Sequence, residues 1–334
     1  MRAVVLAEPG RVEVRDDLPE PTPGPDDVVV LVRAVGLCGS DLSVVAGHRA
    51  VPEFPWVLGH EALGEVVAIG ADVVDRAIGQ RVVIEPNYPC GRCEPCRNGT
   101  TAGCVRRRIV GITEPGVLAE RITVPAAFAW PVPDRTGPAG GIRDDDALCA
   151  EPLAVALTAV DRLGIAPGTR CLVIGAGAQG QLVSLALRAR GAVPVVTDVN
   201  TERANLAVEL GAEPFLRNDE RFAAVVEASG APSALPEAIS RTAHDGSIAL
   251  IGQSEQTSPI RTFDLVQKRL TIHGCLIYDH PGGFAATLDL LRTHDVRPGR
   301  ILRHRFSFDD AATAFRTAGA AAGKSWISLG GNES

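Results

Sequence analysis

Three glycines in the middle of the chain restrict the local fold more than any other feature. Gly175, Gly177 and Gly180 form the pattern G-x-G-x-x-G. They follow a buried strand pattern, 171–174, and precede an apolar helical pattern, 181–189. In this order the glycines predict a tight turn, open access to the backbone, and close packing of the helix on the strand.

The same order of strand, turn and helix repeats along this part of the chain. Further strand patterns lie at 194–197, 223–228 and 247–251. Strands that alternate with helices predict a doubly wound parallel sheet, the Rossmann fold. With the glycine turn in place, the free N–H groups of the helix N-terminus predict a site for the phosphates of a dinucleotide.

Asp198 ends the second strand pattern, 23 residues after Gly175. Its carboxylate can accept hydrogen bonds from the adenosine ribose and repels the additional phosphate of NADP, so NAD is the predicted cofactor. Arg203 weakens this preference, because a nearby guanidinium can pair with a 2′-phosphate. Asp198 is also a candidate N-cap for the following helix.

Four cysteines lie close together in PCGRCEPCRNGTTAGC: Cys90, Cys93, Cys96 and Cys104. Four thiolates at this spacing can surround a tetrahedral Zn²⁺ and leave no position for a substrate, which is typical of a structural site. Two disulfides and an iron–sulfur cluster are the alternatives. Because nothing else in the chain indicates secretion, its eight cysteines are predicted to be reduced thiols or metal ligands.

Composition excludes several classes of partner. The net charge of −7 argues against nucleic acid as a binding partner. The one tight cluster of arginines, 106–108, is too short to change this. There is no signal-peptide pattern, and no stretch approaches the ~20 apolar residues that cross a bilayer. A cytoplasmic protein without a membrane partner is expected.

Short β-branched runs at 28–35, 65–69 and 81–84 predict a compact, largely antiparallel first domain. A helical pattern at 147–163 leads from it into the parallel sheet. The last part of the chain, with a helix at 309–318, is expected to return to the first domain.

The predicted domains are therefore a first domain, 1–153, a dinucleotide-binding domain, 154–292, and a return to the first domain, 293–334. The zinc lobe occupies about 86–108 within the first.

Two fragments of the first domain carry possible ligands for a second, catalytic zinc: Cys38 in GLCGSDL and His60 in LGHEALGE. A thiolate and an imidazole suit a zinc with one open position, but a third ligand is needed. Glu151 in AEPLAVAL is one candidate, and Cys149 is the other. The residues alone leave this choice open.

The chain resembles the zinc-dependent medium-chain dehydrogenases, the alcohol and polyol dehydrogenases. The similarity extends over essentially the whole length and rests on motifs in the family's order: PEPTPGPDDVVV, CGSD, GHE, the four-cysteine lobe, EPLAVAL, GAGAQG and GKSWISL. It implies a GroES-like, mainly antiparallel β catalytic domain beside the Rossmann domain. The EPL motif resembles the sorbitol, threonine and aminocyclitol dehydrogenase branch, in which an acidic residue replaces a cysteine ligand, and this favours Glu151.

The resemblance also implies roles for other residues. Glu61 matches the family glutamate that can approach the metal, and Asp41 the carboxylate that orients the zinc-bound imidazole. Ser40 matches the hydroxyl that takes the proton of the alcohol, while the metal acts as a Lewis acid and the hydride passes to the nicotinamide. Ser43 stands where many relatives have a relay histidine, so water or His48 would have to continue the relay.

The predicted function is therefore the oxidation of a polar secondary alcohol, such as a polyol, sugar, cyclitol or aminocyclitol, to the ketone. The alternatives are an L-threonine or other amino-alcohol dehydrogenase and, in another class, a non-catalytic zinc-stabilised protein that binds dinucleotide. The expected cofactors are NAD and two Zn²⁺ per chain. The expected partners are a small-molecule alcohol or ketone and further copies of the chain, as a homodimer or homotetramer.

Overall fold

The structure is a computed structural model that describes residues 1–134, 141–217, 219–293 and 295–330. The described chain forms two compact units, and neither is one continuous stretch. The first contains Met1–Glu151, Asp279–Thr293 and 302–330, and the second contains Pro152–Tyr278 and 295–301.

The strands, in chain order, are β1 (Ala3–Glu8), β2 (Arg11–Arg15), β3 (Asp27–Gly36), β4 (Trp56–Val57), β5 (Glu61–Ile69), β6 (Arg81–Ile84), β7 (Asn87–Tyr88), β8 (Arg108–Ile109), β9 (Arg121–Pro125), β10 (Ala129–Pro131), β11 (Arg170–Ile174), β12 (Val193–Thr197), β13 (Glu213–Pro214), β14 (Phe222–Glu227), β15 (Thr242–Leu250), β16 (Thr271–Gly274), β17 (Leu302–Ser307) and β18 (Lys324–Ser328).

The α-helices are α1 (Gly39–Val45), α2 (Glu94–Arg97), α3 (Asp144–Leu148), α4 (Ala150–Leu163), α5 (Ala178–Ala189), α6 (Thr201–Glu209), α7 (Ala234–Arg241), α8 (Thr262–Lys268), α9 (Gly282–Thr293) and α10 (Ala311–Ala318). Short 3₁₀ helices lie at Thr101–Gly103, Ala126–Phe128 and Pro298–Ile301.

The first unit is built mainly from antiparallel sheets. One has the order β2-β1-β4, and a larger one follows β10-β6-β5-β3-β18-β17, with β9 also paired to β3. The alternate residues Val28, Val30 and Val32 of β3 are buried in its core, as the β-branched pattern predicts. The register pairs Gly36 with Glu61, so the end of β3 and the start of β5 lie side by side.

The second unit contains a six-stranded sheet with the order β13-β12-β11-β14-β15-β16, and every pairing in it is parallel. The chain leaves β11 first toward β12 and β13, then returns to build β14, β15 and β16 on the other side. This reversal of direction is the switch point at which doubly wound sheets bind ligands. The predicted fold class is confirmed for both units.

The helix predicted at 147–163 is interrupted, because α3 ends at Leu148 and α4 begins at Ala150. Pro152 explains the break. A proline is tolerated in the first turn of a helix, but within a continuous helix its ring would clash with the carbonyl of Leu148, four residues earlier.

The predicted boundary at 292/293 would place α9 in the second unit, but α9 packs within the first. An amphipathic pattern predicts a helix without indicating which core covers its apolar face. The strand β18, by contrast, pairs with β3 in the first unit.

Within the described ranges, none of the helices has the length and apolar character needed to span a membrane.

Candidate active site and metal centres

The loop after β3 places three of the predicted residues at the start of α1. Cys38 is the N-cap of this helix, and its backbone N–H donates a hydrogen bond of 3.0 Å to Asp41 Oδ2. Asp41 is buried in the first turn, where a carboxylate is favoured by the unpaired N–H groups. Ser40 lies between them, and the helix end thereby fixes all three side chains.

His60 lies immediately before β5 and is held by the same carboxylate. Its Nδ1 is 2.8 Å from the second oxygen of Asp41, Oδ1, and its Nε2 is 3.5 Å from Ser40 Oγ. Burial alone would lower the pKa of His60. The charge and hydrogen bond of Asp41, with a smaller contribution from Cys38, outweigh this effect and raise the pKa of His60 well above its ordinary value. With Nδ1 engaged by Asp41, Nε2 is the nitrogen that can bind a metal.

Glu61, the first residue of β5, forms a buried ion pair that the sequence did not reveal. Lys324 Nζ is 2.9 Å from Glu61 Oε1 and 2.7 Å from Oε2, and it also donates to the Leu37 carbonyl at 3.0 Å. The exposed fractions of the two side chains are 2% for lysine and 0% for glutamate. Burial lowers the pKa of Lys324, but the neighbouring Glu61 and Cys38 raise it well above its usual value, so the lysine stays charged.

The sequence signal for this pair is the lysine itself, which begins the largely buried strand β18. A lysine in a buried strand needs a counter-charge, but the pattern does not say which one. Lys324 and Glu61 are 263 residues apart.

The donor atoms of Cys38, His60 and Glu61 all lie within 4.8 Å of one another. Sulfur, imidazole nitrogen and carboxylate oxygen are the ligand types that zinc prefers, so this donor set fits a zinc ion. Among the described residues, Glu151 is not part of this group, although it is buried. Burial raises the pKa of the competing candidate Cys149, which disfavours its thiolate.

The structure brings together all four cysteines of the predicted lobe. The sulfur atoms of Cys90, Cys93, Cys96 and Cys104 lie within 4.8 Å of one another, around α2 and the following 3₁₀ turn. None of the eight cysteines forms a disulfide, so that alternative is wrong.

Two thiols of this lobe have pKa values shifted in opposite directions. Backbone hydrogen bonds, chiefly at Arg92, lower the pKa of Cys90 to about 6. Burial and the neighbouring thiols Cys93 and Cys104 raise the pKa of Cys96 to about 12. Four adjacent thiolates repel one another, so a cation is needed to hold all of them ionised, and the donor set fits zinc.

The lobe is fastened to the segment before α9 within the first unit. Ala102 N–H donates to Asp279 Oδ1 at 2.7 Å, and His280 N–H donates to Thr101 Oγ1 at 2.6 Å. His280 Nδ1 is also 2.9 Å from Oε2 of the fully buried Glu85. These long-range contacts were not apparent from the spacing of the residues.

In the second unit, the three glycines after β11 have the predicted geometry. Gly175 has φ of +96°, a conformation that favours glycine, and a Cβ there would lie 2.8 Å from Ser229. A Cβ on Gly177 would meet nothing within 4 Å, which leaves room for a ligand. A Cβ on Gly180 would lie 1.8 Å from the Gly175 carbonyl oxygen, so only glycine allows this close packing.

The acidic residue after β12 is bound to this turn. Asp198 Oδ2 accepts a hydrogen bond of 2.6 Å from Ala176 N–H, and Oδ1 accepts one of 2.7 Å from Asn200 N–H. The N-cap of α6 is Asn200, whose side chain accepts from the N–H groups of Glu202 and Arg203. Asp198 is therefore not the cap, and its remaining lone pairs stay available to a ligand.

Two family profiles match the chain. Residues 24–134 match the alcohol dehydrogenase GroES-like domain, and residues 178–293 match the zinc-binding dehydrogenase domain. An L-threonine 3-dehydrogenase from Saccharopolyspora erythraea is 33% identical over 95% of this chain and 96% of its own. An L-idonate 5-dehydrogenase from Vitis vinifera is 31% identical over 89% and 86%.

Solved structures of dehydrogenases have a fold similar to that of this chain. An alcohol dehydrogenase (rspB) from Escherichia coli CFT073 with NADH is 26% identical, has a TM-score of 0.88, and covers 98% of this chain and 99% of its own. A protein from Sinorhizobium meliloti 1021 bound to NADP is 29% identical, with the same TM-score and the same coverage. The chain thus belongs to the zinc-dependent medium-chain dehydrogenase family and is an oxidoreductase that dehydrogenates alcohols.

Proposed function

We propose that this protein is a zinc- and NAD-dependent dehydrogenase that oxidises a polar secondary alcohol, a polyol, sugar, cyclitol or aminocyclitol, to the ketone. The observation that carries the proposal is the group formed by Cys38, His60 and Glu61, with Ser40 Oγ 3.5 Å from the imidazole. This group joins a metal donor set to a hydroxyl that can accept or release a proton.

In this mechanism the residues of the chain hold the metal and move a proton. Cys38 and His60 would bind the zinc, with Glu151 as the proposed third ligand and Glu61 in a supporting role. The metal, when bound, supplies Lewis-acid polarisation of the substrate oxygen.

Asp41 fixes the orientation of the imidazole through Nδ1, and Ser40 takes the proton of the alcohol. From Ser40 the proton passes to solvent through water at Ser43 or through the exposed His48. A nicotinamide cofactor, which the glycine turn and Asp198 would hold, would supply the hydride acceptor for the substrate carbon.

The choice of NAD rests on Asp198. Both of its oxygens accept backbone N–H bonds, so the carboxylate is held in place and cannot swing away from a 2′-phosphate. A fixed negative charge at this position disfavours NADP.

We further propose a second, structural zinc in the lobe of Cys90, Cys93, Cys96 and Cys104. The geometry of the lobe supports it, because the four sulfur atoms lie within 4.8 Å of one another and four thiolates at that separation repel one another unless a cation binds between them. With four protein ligands this site would have no position for substrate.

An amino alcohol such as L-threonine is the second candidate substrate, favoured by the 33% identity with an L-threonine 3-dehydrogenase. Its oxidation needs a group that holds the ammonium ion, whereas a polyol needs hydroxyl partners only. The relative that oxidises L-idonate supports the polyol assignment.

Assembly into a homodimer or homotetramer through the dinucleotide-binding unit is also proposed. Among the described strands, β16 is paired on one side only, with β15. The exposed apolar side chains Phe263, Val266 and Leu276 flank it in sequence. An unpaired edge with exposed apolar residues is a surface that a second copy can cover.

The proposal is tested by initial rates of NAD⁺ and NADP⁺ reduction with zinc-loaded protein over polyols, sugars, cyclitols and amino alcohols. We expect turnover of one polyol, sugar or cyclitol class with NAD⁺. Turnover restricted to amino alcohols would favour the second candidate. Absence of turnover with both cofactors, despite bound zinc, would contradict the proposed function.

A further inference from the structure

We propose that Gln181 is a positioning residue for the cofactor: its buried amide holds the Ala176 carbonyl and so turns the N–H of Gly177 toward the diphosphate. The inference rests on the dinucleotide binding proposed above. It concerns a residue to which neither the glycine pattern nor the family resemblance gives a role.

Gln181 lies in the first turns of α5 and is completely buried. Its Nε2 donates a hydrogen bond of 2.9 Å to the carbonyl oxygen of Ala176, inside the glycine turn. On the other side of the same residue, the N–H of Ala176 donates to Asp198. The two peptide groups that flank Ala176 are therefore each held by a side chain.

The second of these peptide groups joins Ala176 to Gly177. Because a trans peptide is planar, its C=O and N–H point in opposite directions. Gln181 holds the carbonyl toward the interior, so the Gly177 N–H points away from it. Gly177 is also the glycine beside which the structure leaves open space. At the N-terminus of α5, where a Cβ on Gly177 would meet no other atom, an N–H held in this orientation is suited to a phosphate oxygen.

The buried amide of Gln181 leaves one of its own polar atoms unpaired. Gln181 Oε1 is buried and has no hydrogen-bond partner among the described residues. An unpaired buried oxygen destabilises the fold, so the amide gives no net gain in stability: a methionine of similar volume would remove this unpaired oxygen but would leave the Ala176 carbonyl without its partner. The amide is thus better explained by the carbonyl that it orients than by packing.

The test compares the wild type with Gln181→Met, and uses Ser184→Ala as the matched control. Ser184 is also buried in α5, and its hydroxyl donates to the Gly180 carbonyl at 3.0 Å, within the helix. Kd values for NAD⁺, NADP⁺, ADP-ribose and adenosine are measured by calorimetry at fixed salt, and unfolding midpoints by thermal denaturation.

For Gln181→Met we expect the Kd of NAD⁺ and of ADP-ribose to rise about fivefold to tenfold, the effect of one lost hydrogen bond. Adenosine, which has no phosphate, should bind unchanged. The midpoint should stay near that of the wild type, because the substitution replaces one unpaired oxygen, on Gln181, by another, on Ala176. Ser184→Ala should change none of the Kd values.

An unchanged Kd for ADP-ribose in Gln181→Met would overturn the inference. So would an equal loss of adenosine binding, since that would indicate a general disruption of the unit. Wild-type protein that binds no dinucleotide would overturn the proposed cofactor as well. Gln181→Leu, prepared in parallel, carries the same expectations and replaces the methionine variant if that variant does not fold.

Discussion

Replacing Lys324 with methionine removes the cation from the buried pair with Glu61 and leaves the carboxylate without a counter-charge. Removal of one partner of a buried ion pair costs about 3–5 kcal/mol. For units of 150–250 residues, 1 kcal/mol corresponds to about 2–4 °C, so the unfolding midpoint of the metal-free protein should fall by roughly 6–20 °C.

Zinc should reduce this loss. Glu61 lies in the same group as Cys38 and His60, so a bound cation can replace Lys324 as its partner. We expect the destabilisation in zinc-loaded protein to be roughly half or less of that in metal-free protein, because zinc should bind more tightly to the variant, whose Glu61 has no other counter-charge, and therefore stabilise it more than the wild type. Thermal denaturation of both forms, with chelator competition for zinc affinity, measures the difference.

Two further variants make the reasoning on Lys324 refutable. Lys324→Met combined with Glu61→Gln removes both charges and should recover most of the lost stability. Arg33→Met removes a cation from the same sheet, but from an exposed pair with Glu65, and should have little effect. If the double variant is no more stable than Lys324→Met alone, the loss of stability comes from altered packing and the unpaired charge of Glu61 is not its cause.

Three other predictions concern the cofactor and the lobe. Asp198→Asn keeps an oxygen that can accept from the Ala176 N–H but removes the negative charge, so the ratio of NADP⁺ to NAD⁺ catalytic efficiency should rise about tenfold to a hundredfold. An unchanged ratio in steady-state kinetics would show that Asp198 does not select the cofactor. The double variant Cys93→Ser, Cys96→Ser should contain one zinc per chain by atomic emission, where the wild type should contain two, and should have a lower unfolding midpoint. A variant that folds normally and loses only the chemical step would contradict a structural role for this zinc. The pKa of Cys90 in the metal-free lobe is lowered to about 6, so its contribution as a thiolate is present above the ordinary thiol pKa and lost as pH falls through about 6. Below that pH zinc has to displace one more proton, so the zinc affinity measured by competition with a colorimetric chelator should fall more steeply with pH below about 6 than above it, and an unchanged slope from pH 8 to 5 would refute this.

The parts of the site that sequence reasoning predicted are those set by local spacing. The three glycines and the four cysteines each lie within one short stretch, where the chain itself brings the atoms together. The Cys38 and His60 pair was predicted from residue type, and the turn that joins them through Asp41 agrees with it. The assignment of Glu151 as third ligand came from family resemblance and stays a prediction.

Long-range pairing was not predictable from the pattern. The contact between Lys324 and Glu61 depends on the register of β18 on β3 and of β3 on β5, which periodicity alone does not specify. The packing of α9 on the first unit likewise depends on tertiary contacts, since its helical pattern suits either core. Gln181 was missed because one polar residue in an apolar helix gives no signal of its partner.

The pairing of β18 with β3 has a consequence for synthesis on the ribosome. Trp326 pairs with Gly36, and 290 residues separate them. At about 5–20 residues per second, roughly 15–60 s pass between their emergence. During that interval the edge of β3 that pairs with β18 has no hydrogen-bond partners, and Glu61 lacks its ion-pair partner Lys324. A nascent chain in this state offers an unpaired edge to other chains. Chaperone dependence during translation, or early capture of a cation by Glu61, would follow from the order of the strands alone.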